Sequence, residues 1–279
     1  MAPQPQARIV HRHPVTACFA LTWLISWAGA WSIAVPYWMR GDAVPKFAGL
    51  MMFPVMLLGP VTAGIALTGV LQGKPGLRML FTRLRRTGPF RWLTALLIPP
   101  GLVLAVLFCL KTFVSPVYAP NLFPMGIMFG CTAGFFEEIG WTGFAFPAMR
   151  STRSALGAAV SLGLLWSAWH IPVVDYLGAA TPHGRYWLPF FLAFTAAITA
   201  IRVLICWLYV NTGSVLLAQM FHASSTGALA VLSPARVTAA EEVLWYAAYA
   251  ALLWIAVAIV IANYGTNLAR TESAGARAS

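Results

Sequence analysis

Along most of this chain the polar residues come in short clusters, and the runs between them are apolar and long. A helix rising 1.5 Å per residue needs about 20 residues to cross a hydrocarbon layer. Windows of that kind predict eight spans: Val15–Val35, Leu50–Leu71, Trp92–Val114, Leu122–Ala148, Ala155–Val174, Trp187–Val210, Ser214–Leu232 and Val243–Ile261. No segment between spans is long enough for a second domain, and no internal repeat is evident. The expected architecture is an all-α membrane protein, a polytopic bundle of about eight transmembrane helices. Residues 1–14 are expected to form a cytoplasmic N-terminal tail, 15–262 a single domain, and 263–279 a disordered cytoplasmic tail. The first span follows basic residues and contains Ala28-Gly29-Ala30, faintly like a cleavable signal, but its apolar run continues to Val35 and is read as uncleaved.

Composition agrees with that pattern. The chain is 60% hydrophobic and 9% charged, against roughly 45–50% and 25% in soluble domains. A net charge of +11 would point to nucleic acid in a soluble protein; here it is explained by the excess of Lys and Arg in cytoplasmic loops. With the N-terminus inside, twelve of the eighteen basic residues lie in cytoplasmic segments and five outside, and Arg202 falls within a span. Both termini are therefore expected to be cytoplasmic, with no nucleic-acid partner. The cytoplasmic segment Gly73–Trp92 alternates basic and apolar residues, and reads either as a short surface helix or as a basic loop that fixes topology. The four cysteines lack C-x-x-C spacing and read as small core residues, not as a disulfide or zinc set.

Against this background the fourth span is anomalous. GIMFGCTAGFFEEIGWTGFAFPAMR, Gly126 to Arg150, holds Glu137 and Glu138, two of only seven acidic residues. A carboxylate at mid-bilayer costs on the order of 2.5 to 3.5 kcal/mol on insertion scales, so such side chains face a protein interior or a wet cavity. On a helix, Gly126, Gly130, Gly134, Glu138 and Thr142 share one small-residue stripe. Glu138 then sits on a packed seam. Glu137, turned by about 100°, lies between Ala133 and Trp141 and is available to a cavity.

Two other spans contribute imidazoles. His170 lies one turn beyond Trp166 in LLWSAWHIP, where Pro172 is expected to kink the helix. His222 shares a face with Ser214, Ala218 and Thr226. In one wet pocket these groups suffice for general acid/base work with hydrogen-bond donors for an oxyanion. Read singly, either histidine is equally an interhelical hydrogen bond. Arg202 either snorkels to the headgroups or pairs with an acid. His11, His13, His183, Asp175 and the Glu241-Glu242 pair read as solvated.

These motifs resemble the CAAX protease and bacteriocin-processing (CPBP, or Abi) intramembrane proteases, which include the type II CAAX prenyl endopeptidases. The family pattern is Glu-Glu-x-x-x-Arg, Phe-x-x-x-His and His-x-x-x-Asn on three successive helices, and this chain offers EEIGWT, WSAWH and HASST in that order. GPVTAGIALTG and the basic segment after it extend the similarity from about Leu57 to Leu232. Thr142 stands where Arg is usual, Trp166 for Phe, and Thr226 for Asn. The resemblance implies a site between spans four, five and seven. Glu137 and His170 would activate water, His222 and Thr226 would line the oxyanion side, and Glu138 would support them. It also implies a peptide or protein substrate at the membrane, lipidated or not, a bacterial plasma-membrane setting among membrane lipids, and no cofactor or metal.

Three other readings compete. Two histidines and a glutamate make a plausible His₂Glu zinc set, though without the local H-E-x-x-H spacing. A proton-coupled transporter would use the same groups as a relay, but repeated halves are absent. A non-catalytic immunity or scaffold protein would keep the fold with Thr142 and Thr226 as they stand.

Overall fold

The computed structural model describes residues 10–270. Arg8 and Arg277 of the charge count, and the outer parts of both expected tails, lie outside the described residues. Among the described residues there are eight long helical stretches, with two single 3₁₀ turns at Pro116–Tyr118 and Val174–Tyr176, and no strand: α1 Pro14–Trp38, α2 Lys46–Arg85, α3 Phe90–Phe113, α4 over 125–150, α5 Ala155–Trp169, α6 Gly184–Thr212, α7 Val215–Leu232 and α8 Ala239–Tyr264. Six of these, all but α4 and α5, are long and apolar enough to cross a membrane. The protein is thus a polytopic all-helical bundle, as its hydrophobic runs predict.

Local chemistry sets the boundaries. The hydroxyls of Ser154 and Ser214 accept backbone N–H bonds at the starts of α5 and α7, and Thr238 with Glu241 forms a reciprocal cap on α8. Between α6 and α7, Gly213 takes a left-handed conformation (φ 64°), turning the chain within two residues. The basic segment after the second span is helical to Arg85, set off from the first part of α2 by a break at Gly73. The fifth span is shorter than hydropathy suggests. α5 ends at Trp169 because Pro172 has no N–H to continue it and biases Ile171 away from helix. His170 therefore sits at the helix terminus and not beside a kink within it. Of the cysteines, Cys18 and Cys206 are core residues as expected, whereas Cys109 and Cys131 lie on the outer face.

α6 is the central helix: every residue from Ala197 to Tyr209 is buried, the pattern of a segment surrounded on all sides. α5, α7 and α8 pack around it. α4 is wedged between α7 and α2, with the α4–α7 contact the most extensive in the bundle. The glycine stripe makes this possible. A Cβ on Gly134 would lie 2.5 Å from Ala223 N and from Gln219 O, and one on Gly130 would lie 2.5 Å from Gly227 N. On the other side Gly140 faces Pro60, and a Cβ on Gly64 would be 2.8 Å from the Gly140 Cα. Gln219 Nε2 donates to Phe135 O at 2.7 Å, tying α7 to the turn that precedes the glutamates. Backbone-to-backbone contact on two sides leaves the Glu137–Glu138 step little freedom.

Because the atoms facing Gly130 are backbone and cannot rotate away, Gly130→Ala is expected to destabilise the protein by about 1 to 3 kcal/mol, as overpacking does. Thermal unfolding in detergent reads this as a lowered midpoint. Gly101→Ala, at a helical position where an added methyl meets nothing within 4 Å, is expected to show no loss.

Candidate active site

The two carboxylates are fully buried and point to different partners. Glu138 Oε2 is 2.8 Å from Arg202 Nη1 and also accepts from the Thr142 hydroxyl, while its Oε1 lies 2.7 Å from His222 Nδ1. One carboxylate thus joins α4, α6 and α7. Glu137 Oε2 accepts from two indoles, Trp141 Nε1 at 3.0 Å and Trp166 Nε1 at 2.6 Å. Its other oxygen, Oε1, is buried and has no hydrogen-bond partner in the protein. A buried acceptor left open in this way calls for an explanation.

The backbone beneath the pair is unusual. After Gly140 the helix widens into a π turn, Trp141–Ala145, before resuming as Phe146–Arg150. Insertions of this kind are frequent at functional sites. Both i+4 bonds, Trp141 to Glu137 and Thr142 to Glu138, originate from the start of that turn.

Trp166 is the hub of the site. Besides donating to Glu137, its ring lies under the Arg202 guanidinium at 4.3 Å, a cation–π distance. It also meets His222 edge-on at 5.1 Å and His170 at 5.5 Å. His170 Nδ1 lies 2.8 Å from Trp166 O, so the ring carries its proton there and its Nε2 lone pair is free. Trp169, Phe194 and Phe53 close around the imidazole at 4.8, 5.2 and 6.1 Å between centroids.

Glu137, Glu138, His170 and His222 are therefore gathered by direct contacts or through Trp166. Thr226, one turn beyond His222, is only partly buried and stands outside the hydrogen-bonded network, which includes Thr142 instead. The choice left open for Arg202 resolves in favour of pairing, since its side chain is fully buried. Trp166 does more than stand in for Phe, because its N–H reaches the glutamate; a buried indole's need for an acceptor is the signal that points to it. Among the described residues no three His, Cys, Asp or Glu side chains are grouped as metal ligands, and His222 Nδ1 is committed to Glu138.

A second polar cluster lies away from this site and corrects the reading of His183 and Glu242 as solvated, while their partner Asp175 stays partly exposed. His183 is 2% exposed and Glu242 1% exposed. His183 Nδ1 lies 2.9 Å from Asp175 Oδ1, and its Nε2 is 3.3 Å from Glu242 Oε2. The carboxylate of Glu242 also accepts from the Ala179 and Ala180 amides, both at 2.8 Å. The loop between α5 and α6 is thereby stapled to α8. Partners more than 60 positions apart leave no spacing to read in the sequence.

Comparison with known proteins bears on the same region. Residues 119–228 match the profile of the family described as type II CAAX prenyl endopeptidase Rce1-like. That interval contains the hydrogen-bonded glutamate network, from Glu137 and Glu138 through Trp141, Thr142, Trp166, His170 and Arg202 to His222. The chain is also 33% identical over 97 residues to CAAX prenyl protease 2 of Methanococcus maripaludis. That similarity covers 32% of this chain and 34% of the relative, so it spans about a third of the curated protein's length. The resemblance expected from the motifs thus holds over the site, and its expected extension back to Leu57 lies outside the matched interval.

Two predictions follow from the charges. Arg202→Leu leaves Glu138 buried without its cation, and removing one partner of such a pair costs about 3 to 5 kcal/mol. Thermal unfolding is expected to show that loss, and Arg202→Leu combined with Thr142→Arg is expected to recover part of it by returning a cation beside Glu138.

For His183, burial opposes the charged ring, but the contacts with Glu242 and Asp175 outweigh it and raise the pKa above the ordinary value. The resulting stabilisation is complete below the unfolded value of about 6.5 and is lost as pH rises through the raised folded value. Hydrogen exchange of the Ala179 and Ala180 amides, corrected for intrinsic base catalysis, is expected to lose protection from neutral to alkaline pH in the wild type. It is expected to stay flat in His183→Gln.

Proposed function

We propose that this protein is an intramembrane endopeptidase that hydrolyses a peptide bond with water activated by Glu137 and His170. The observation that carries the reading is the asymmetry of Glu137: two indole N–H groups hold one oxygen, and the buried second oxygen is left without a protein partner. A carboxylate oxygen fixed in this way suits a general base, whose efficiency depends first on position.

In the proposed sequence, Glu137 Oε1 takes a proton from water as the oxygen attacks the substrate carbonyl. His170, with Nδ1 bound to Trp166 O, offers its Nε2 lone pair to the same water. The carbonyl oxygen becomes an oxyanion. His222, its Nδ1 held by Glu138, donates from Nε2 when both ring nitrogens are protonated, and Thr226 supplies a hydroxyl donor from the next turn. The proton held by Glu137 then passes to the leaving nitrogen as the C–N bond breaks. Glu138, fixed by Arg202 and Thr142, holds His222 in place and touches no reacting atom.

The relative from Methanococcus maripaludis is named a CAAX prenyl protease. For this chain we carry over peptide-bond hydrolysis on a membrane-bound peptide or protein, with prenylation as a property to be tested. The same proposal places the arginine-rich end and both termini in the cytoplasm, in accord with the asymmetry of Lys and Arg.

Glu137→Gln is expected to abolish cleavage with the melting temperature nearly unchanged, whereas Glu138→Gln is expected to lower both cleavage and stability. Comparing membrane proteomes of cells expressing the wild type or Glu137→Gln should reveal a fragment that depends on the glutamate. Wild-type turnover in both glutamine variants would sink the catalytic reading.

A further inference from the structure

A cavity of about 310 Å³ opens at the end of the bundle where α2, α4 and α6 finish. Arg150 lies thirteen residues beyond Glu137 on α4, roughly 20 Å along the helix, so this cavity is separate from the glutamate site. Arg83 from the last turn of α2, Arg86 just beyond it, and Arg150 from the end of α4 all line it, together with Thr82, Tyr209 and Gly213.

Three guanidiniums lining one cavity repel one another and call for negative charge. The helix C-termini offset part of this. No side chain among the described residues supplies the rest, for the six acidic residues described are engaged elsewhere. Asp42 pairs with Arg40, Glu137 and Glu138 sit in the candidate active site, Asp175 and Glu242 hold His183, and Glu241 caps α8. Among the described residues none of the three arginines forms an ion pair.

The cavity is also held in shape. The Ser214 hydroxyl donates to Arg86 O, pinning this stretch to the α6–α7 corner. The Arg86 guanidinium passes close to Gly213, where an added Cβ would be 3.3 Å from Nη1. Met79 lines the same cavity and is 52% exposed, and Phe81 and Phe90, neighbours of these arginines in the sequence, are 46% and 83% exposed. Cationic planes beside an apolar surface, at the end of membrane-crossing helices, match the chemistry of a phosphate headgroup with its acyl chains alongside.

We propose that Arg83, Arg86 and Arg150 form a binding site for a phosphate group, carried by an anionic phospholipid or by a soluble phosphate. The test uses the purified full-length protein in a zwitterionic detergent. Phosphatidylglycerol, phosphatidylcholine and inorganic phosphate are titrated separately, with binding read by native mass spectrometry and by the shift in melting temperature. Arg83→Gln/Arg86→Gln/Arg150→Gln is compared with Arg78→Gln/Arg85→Gln/Arg91→Gln, which removes the same charge from positions outside the cavity. Arg86→Gln alone guards against a folding defect in the triple variant.

At about a fivefold loss per arginine, the cavity variant is expected to bind phosphatidylglycerol roughly a hundredfold more weakly. The control variant should fall much less, and phosphatidylcholine should not discriminate between them. An effect seen with inorganic phosphate and not with phosphatidylglycerol supports the site with a soluble occupant. Equal losses in the two variants, or no difference between them with either phosphate probe, would overturn the proposal.

Discussion

The arrangement of this bundle depends on one buried carboxylate, Glu138. Inside an apolar core an unpaired charge is costly, and its attraction to a partner offsets that cost only when the geometry is close and the other lone pairs are filled. Arg202, Thr142 and His222 meet those conditions from three helices. For Arg202 to arrive, α6 must bring a cation into a stretch that is otherwise buried on every side. For His222 to arrive, α7 must lie against α4 with almost no side chain between them, and the glycines at 126, 130 and 134 allow it. Close packing and charge compensation are thus two aspects of one constraint.

Two of the three departures from the family pattern, Thr142 and Trp166, are coupled through that pair. With Thr at 142, α4 brings no cation to Glu138 four residues earlier, but its hydroxyl still donates to it. Arg202 brings the charge from α6. Trp166, standing where the family has Phe, offers its face to that guanidinium and its N–H to Glu137. Phe has the face but no donor, so the indole links the two carboxylates' environments in a way Phe does not. Because the cation sits on α6, the ion pair is also a clamp between α4 and α6.

Much of this was legible in the sequence because hydrophobic length and i+4 spacing are local properties. The spans, the glycine stripe and the isolation of Glu137 and Glu138 could be read directly, and the choice for Arg202 could be posed. What escaped depends on contacts between distant positions or on backbone winding. The His183 staple joins Asp175 and Glu242 across a loop and a helix start. The π turn has no hydropathy signature, since the order of residues from Trp141 to Ala145 is the same whichever way the helix is wound. The end of α5 at Trp169 was hidden for the opposite reason: Ile171 to Val174 continue the apolar run, and a single proline outweighs it.

The two helices that do not meet the criterion for crossing a membrane, α4 and α5, carry Glu137, Glu138 and His170. A regular apolar helix satisfies its own backbone and offers neighbours only its surface. To offer chemistry it must give up regularity, and here each helix does so where the polar side chain emerges. α5 stops, so His170 caps its end, bonding back to Trp166 O through Nδ1 while Nε2 stays free. α4 widens immediately after its glutamates, and the first two residues of the widened turn donate back to them. Such irregular backbone is tolerated at membrane depth only where protein covers it. α2, packed against Gly140 on one side, and α7, packed along the glycine stripe on the other, provide that cover.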